Sequence, residues 1–145
     1  LTQKIKMTGA IIVTTPQDIA LSDVRKGADM FKKVNTPVLG VIENMSGLIL
    51  TGNTNYPNSK ININNEELKI DVNGNFNINI DIFKKNGGKK ESERLGVPLL
   101  SKIPLSKEIM DATDSGIPTV VSDSNQKVGE IYFNIADQVL KITNL

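Results

Sequence analysis

Glu43, Asn44 and Met45 are the residues best placed to bind a ligand, because they directly follow an apolar run. That run, Pro37–Ile42, is typical of a strand that is buried on both faces. In open α/β sheets, ligands bind beyond the carboxyl ends of the strands. The side-chain amide of Asn44 can both donate and accept a hydrogen bond at such an edge. We therefore take Asn44 as the first candidate binding residue, and the alternative is an asparagine that only caps or turns the loop.

The elements that must position Asn44 form a predicted βαβ unit. Gly9–Thr14 is a near-continuous β-branched run, as expected for a buried strand. The next residues carry helix-start signals, with Thr15 as the N-cap, Pro16 at the first helical position and Asp18 three residues after the cap. A stripe of apolar residues at helical spacing predicts the buried face of this helix: Leu21, Val24, Ala28 and Phe31.

Residues 47–79 have a different pattern, which is rich in Asn and Ile and strongly alternating. Asn73-Gly74 stands between two alternating runs, and this is the strongest short signal for a β-hairpin. We expect an antiparallel β insert with one face on the core and the other in water.

The α/β pattern resumes after the insert. A short helix is predicted over Gly87–Leu95, ended by Gly96 as a left-handed cap, and a third buried strand follows over Val97–Ile103. A helix through about Thr113 comes next. The apolar face of a last helix is formed by Val128, Ile131, Tyr132, Ile135, Val139 and Leu140. The predicted fold class is α/β, part of a doubly wound, mostly parallel sheet with an inserted antiparallel hairpin.

Composition excludes several kinds of site. The 145 residues fit one domain, and their net charge of +1 gives no reason to expect a nucleic acid or an anionic membrane as partner. No apolar run is long enough for a transmembrane helix and no secretion signal opens the chain, so we expect a cytoplasmic protein. The chain has neither Cys nor His, which excludes thiolate metal sites, Cys nucleophiles and His bases within it.

Two segments together resemble the Mrp family of P-loop ATPases. They are residues 13–46, which contain TTPQD and VLGVIENMS, and residues 82–120, which contain GVPLL and IPL. The family comprises iron–sulfur cluster carriers of the ApbC and Ind types, which are relatives of MinD and of the nitrogenase iron protein. The resemblance implies a P-loop NTPase fold with a Gly-rich phosphate loop upstream. Residues 1–145 are therefore expected to be the C-terminal part of one ATPase domain, with residues 47–79 as an insert.

The resemblance also implies roles for particular residues. The position that matches Asn44 reads adenine in the wider family, and Pro104 and Leu105 resemble the loop that flanks the base. Gln17 and Asp23 match positions that face the partner subunit near the nucleotide. The alternatives are a plain strand-to-helix turn for Pro104 and Leu105, and dipole compensation for the acidic residues at the helix start. We expect no catalytic residue and no metal ligand within this chain.

By resemblance, the whole parent protein is a homodimer that binds ATP with Mg²⁺, hydrolyses it, and delivers iron–sulfur clusters to client proteins. In cluster carriers a pair of Cys residues follows the ENMS segment, and two subunits share them. Here residues 47–79 take that place without a Cys, which argues against cluster binding by this chain. Two other functions stay open: a non-catalytic module that dimerises and binds a partner through the hairpin, and a MinD- or ParA-type positioning ATPase.

Overall fold

The computed structural model describes residues 7–63, 66–121 and 126–144. The longest strand, β2, lies at the centre of the main sheet. The elements, in chain order, are β1 (Ala10–Thr14), α1 (Asp18–Lys33), β2 (Val38–Asn53), β3 (Lys60–Ile63), β4 (Glu66–Lys69), β5 (Asn75–Ile80), α2 (Gly87–Leu95), β6 (Leu99–Leu105), α3 (Lys107–Asp114), a short 3-10 turn (Thr119–Val121) and α4 (Gln126–Thr143).

The first half of β2 lies between two parallel neighbours. β1 pairs with it on one side and β6 on the other. Successive residues of β2 point to opposite faces, so Val41 packs with Ala28 of α1, and Ile42 packs with Ile135 of α4. Helices therefore cover both faces of a parallel sheet, and the predicted βαβ unit and α/β fold class are confirmed.

Helix α1 does not begin as its sequence signals predict. Thr15 is not the N-cap, because the helix begins at Asp18 and Gln17 takes the capping position without a side-chain cap hydrogen bond. The Oγ1 atom of Thr15 is buried and has no hydrogen-bond partner in the described part of the chain. Pro16 is buried, and a Cβ added at Gly87 would come within 2.8 Å of its Cα. Tertiary packing against the start of α2 therefore overrides the local capping signal.

The predicted insert is built differently from a simple hairpin. β2 continues without interruption to Asn53, and β5 pairs antiparallel with its last six residues. Asn73 and Gly74 do form a turn, in which Oδ1 of Asp71 accepts hydrogen bonds from the N–H groups of Asn73 and Asn75. The strands on the two sides of this turn do not pair with each other, because β4 pairs with β3 in a second sheet.

We call the antiparallel pair formed by β5 and the second half of β2 the ribbon. Leu48 lies opposite Ile80 and Leu50 lies opposite Ile78, so the ribbon has one apolar face. The Asn side chains of β5 alternate with these residues and are exposed. The apolar residues of β5 lie opposite those of β2, and this match explains why β5 pairs with β2, which is distant in sequence, rather than with β4.

Candidate functional site

A cleft of about 520 Å³ opens where the parallel half of β2 ends and where β6 ends. Asn44, Pro104 and Leu105, the three residues predicted to bind a base, all line it. The other lining residues come from the continuation of β2 and from α3 with its N-cap: Met45, Leu48, Ser106, Lys107, Ile109, Met110, Thr113 and Asp114. The structure therefore brings the three predicted residues together at the sheet edge where α/β proteins bind ligands.

The register of β2 and β6 explains why these residues meet. Asn44 lies opposite Ile103, so the two residues that follow Ile103 stand beside the end of the parallel half of β2. Beyond Asn44 the register shifts, and the next pair is Leu48 with Leu105. Met45, within this shift, has a left-handed backbone with φ of 56°. The interruption of regular pairing coincides with the opening of the cleft.

The side chain of Asn44 stabilises this turn and also offers a donor. Its Oδ1 atom accepts a hydrogen bond from the Met45 N–H at 2.9 Å. Its Nδ2 group has no hydrogen-bond partner among the described residues, and the residue is half-buried. Asn44, which was expected to present both a donor and an acceptor to a base, therefore presents the free N–H groups of its amide.

Helix α3 forms the opposite wall of the cleft. Ser106 is its N-cap, with Oγ accepting a hydrogen bond from the Ile109 N–H at 3.2 Å. Lys107 and Asp114, at the two ends of the helix, are exposed and supply the charged groups of the lining. An apolar cleft with few polar groups suits a planar heteroaromatic ring better than a phosphate chain.

Gln17 and Asp23 lie elsewhere, near the start of α1. Gln17 is half-buried at the capping position. Asp23 is exposed and pairs with Lys26 one turn later, at 3.2 Å. Neither residue lines the cleft. The first helical residue, Asp18, pairs with Lys84, and the hydrogen bond from Lys84 lowers the pKa of Asp18.

The buried contacts of Glu43 were not predicted from the sequence, although its position beside Asn44 was recognised. Glu43 is only 1% exposed. Its Oε2 accepts a hydrogen bond from the Gly88 N–H at 2.6 Å, and its Oε1 lies 3.3 Å from Nζ of Lys102. The available signal in the sequence was a charged residue directly after the apolar run Pro37–Ile42. Such a residue is seldom buried without partners.

A family model described as the NUBPL iron-transfer P-loop NTPase matches residues 1–59 and 63–140. The chain belongs to this family. An iron–sulfur cluster carrier protein of Pseudomonas fragi is 39% identical over 94% of the chain and 39% of its own length. The mouse iron–sulfur cluster transfer protein NUBPL is 36% identical over 97% of the chain and 37% of its own length. The resemblance to Mrp-type proteins is thus confirmed, and the chain spans about two fifths of these relatives.

Two solved structures share the fold. The cell division ATPase MinD of Pyrococcus furiosus superposes with a TM-score of 0.59 at 21% identity, over 93% of this chain and 43% of its own. A nucleotide-binding protein of Archaeoglobus fulgidus, solved in complex with ADP, gives 0.52 at 23% identity, over 79% of this chain and 38% of its own. Both likenesses confirm the predicted P-loop NTPase architecture.

Two kinds of feature are absent from the described residues. Among the helices in these parts of the chain, none combines the length and apolar character required to cross a bilayer. Within the same ranges, no group of three or more acidic side chains is arranged to hold a metal ion.

Proposed function

We propose that this chain forms the base-binding part of an ATPase that acts in iron–sulfur cluster assembly. The observation that carries the proposal is the convergence of Asn44, Pro104 and Leu105 on one cleft. The free Nδ2 group of Asn44 can donate to a ring nitrogen of adenine, and the apolar lining can pack against the faces of the ring. Membership of the NUBPL family supplies the chemical context.

The phosphate chemistry belongs, in this proposal, to a segment upstream of the chain. The chain has no phosphate loop with the P-loop lysine, and the described residues form no acidic group that fits Mg²⁺. We therefore propose that residues 1–145 are the C-terminal part of one ATPase domain. This chain together with its upstream segment is called the extended protein below.

Iron–sulfur clusters enter the proposal as cargo rather than as a resident cofactor. A cluster held by thiolates needs Cys, and this chain has none. We propose a nucleotide-dependent homodimer in the cytoplasm that acts on iron–sulfur client proteins without holding the cluster on Cys ligands of this chain. Gln17 and Asp23, near the start of α1, are proposed to face the partner subunit, and the exposure of Asp23 agrees with that role.

Photo-crosslinking with 8-azido-ATP tests the base-binding proposal on the extended protein. Within residues 1–145, the label should map to tryptic peptides that contain Met45, Leu105 or Met110, because these residues line the cleft. Excess ATP should remove the label and excess GTP should remove less of it. Label confined to other peptides of this chain would contradict the proposal.

The alternative of a non-catalytic binding module is favoured by one feature, the exposed Asn-rich face of the ribbon. Such a module would dimerise and bind its partner without nucleotide. Sedimentation of the extended protein with and without ATP separates the two functions, because the ATPase proposal requires a dimer that depends on nucleotide.

A further inference from the structure

We propose that Glu43 is a positioning residue for the cleft. Its buried carboxylate joins the segment that carries Asn44 to the segment that carries Pro104 and Leu105, and so sets the geometry in which the base is read. The inference rests on the nucleotide-binding function proposed above and deepens it.

The carboxylate of Glu43 connects three elements. Gly88, which donates to Oε2, lies in the first turn of α2. Lys102, which faces Oε1, is the register partner of Glu43 on β6. Nζ of Lys102 also donates to Oδ1 of Asn86 at 2.8 Å, immediately before α2. One buried carboxylate therefore holds the end of the parallel half of β2, the middle of β6 and the start of α2 together.

The chain positions of these contacts place them next to the cleft. Asn44 follows Glu43 directly, and Pro104 stands two residues after Lys102. A shift between β2 and β6 at this level would move the lining residues of both strands. The pair of charges at Glu43 and Lys102 resists such a shift because separating it would leave a buried carboxylate with a single neutral donor.

The close fit around Glu43 leaves little freedom for rearrangement. A Cβ added at Gly88 would lie 2.7 Å from the Cβ of Glu43, so the start of α2 approaches β2 as closely as a glycine permits. The carboxylate is thus fixed by packing as well as by hydrogen bonds.

Glu91 offers a matched contrast within the same molecule. It is also 1% exposed and also ion-paired, with Arg94 at 2.5 Å and with Arg25 at 3.5 Å. The Arg25 contact joins α2 to α1, the Arg94 contact lies within α2, and none of the three residues lines the cleft. A general loss of stability should follow from changing either glutamate, whereas a loss of base recognition should follow only from changing Glu43.

Calorimetric titration of ATP into the extended protein tests this contrast. Glu43→Gln should weaken ATP binding roughly three- to tenfold, because the lost ion pair relaxes the cleft. Glu91→Gln should lower Tm but leave ATP affinity within about twofold of wild type. Equal changes in affinity for the two variants would overturn the inference, since they would indicate a general effect of stability.

A double-mutant cycle with Asn44 supplies the readout that a purely structural role would not give. In an Asn44→Ala background, Glu43→Gln should weaken ATP binding less than it does in the wild-type protein, because one of the residues that it positions is gone. If Asn44→Ala alone leaves ATP affinity unchanged, the proposed function fails, and this inference fails with it. If Asn44→Ala weakens binding while Glu43→Gln does nothing or acts additively, only the inference about Glu43 fails.

Lys102→Gln provides a second route if Glu43→Gln does not fold. The Lys102 side chain is 41% exposed, and Gln at this position removes the charge of the ion pair while it keeps an N–H donor for the buried carboxylate. It should reproduce the loss of ATP affinity, and wild-type affinity in a folded Lys102→Gln variant would overturn the inference.

Discussion

Both halves of β2 are extended strand, but they differ in strand pairing and in burial. From Val41 to Glu43 the strand is paired on both sides in parallel and is almost fully buried. From Ile49 to Asn53 it is paired only with β5, antiparallel, and its side chains are half-buried or exposed. The cleft lies at the junction. We therefore expect the first half of β2 to contribute most to the free energy of unfolding and the junction to bind the ligand. The second half should contribute little to either.

The largest expected effect is on stability in the parallel half. Leu100 of β6 is 3% exposed, and its side chain fills the space over Gly40. Leu100→Ala in the extended protein should reduce the free energy of unfolding by about 2–5 kcal/mol, through lost burial and a cavity. Ile78→Ala on the half-buried face of the ribbon should cost about 1 kcal/mol. Urea denaturation measures both values, and equal losses would show that the two halves share one core.

Asn44→Ala should have the next largest effect, on binding rather than on stability. It removes the free Nδ2 donor of the cleft and leaves a ring acceptor of the base unpaired. The cost is roughly 1–3 kcal/mol, or about tenfold to a hundredfold in ATP affinity, and the preference over GTP should shrink.

Asn44→Asp is the matched variant for this prediction, because it keeps an oxygen for the Met45 N–H and replaces the amide donor by a charged acceptor. It should weaken ATP binding at least as much. Titration calorimetry with ATP and GTP decides the matter. Equal affinities for both nucleotides in wild type and Asn44→Ala would leave Asn44 as a turn residue only.

The smallest effect should come from removing most of the segment 47–79, which we predict to be a removable insert. Leu50 and Ile78 are register partners, so an Asn-Gly turn between them can replace residues 51–77 as a two-residue hairpin. Leu48 and the cleft stay intact in this design. The shortened protein should melt cooperatively, with a free energy of unfolding within about 1 kcal/mol of wild type. Complete loss of the transition in a thermal scan would mean that the segment belongs to the core.

The sequence was sufficient for features that depend on local pattern. Apolar runs predicted the three parallel strands, and the position of Asn44 directly after one of these runs placed it at the ligand-binding edge of the sheet. Pro104 and Leu105 were expected beside the base from the resemblance to the Mrp family. The predicted helix cap at Thr15 was wrong, because packing of Pro16 against Gly87 decided the conformation there.

Features that depend on distant partners were not predicted. Asn73-Gly74 gave a turn as expected, but β5 pairs with β2 rather than across that turn. The role of Glu43 depends on a donor 45 residues away, which no local pattern indicates. Local signals therefore predicted the elements, whereas pairing in the insert and the support of the cleft required the folded structure.

The change of neighbours along β2 has a consequence for amide hydrogen exchange. From Val41 to Glu43, β2 lies between two strands, and every backbone N–H faces one of them. Exchange there therefore requires opening of the sheet. Beyond Leu48, β2 has β5 on one side only, and N–H groups that point away from β5 face no strand of the described residues. The amide protons should therefore be protected from exchange at every residue in the first half of β2 and at alternate residues in the second half. The change should occur at the level of the cleft.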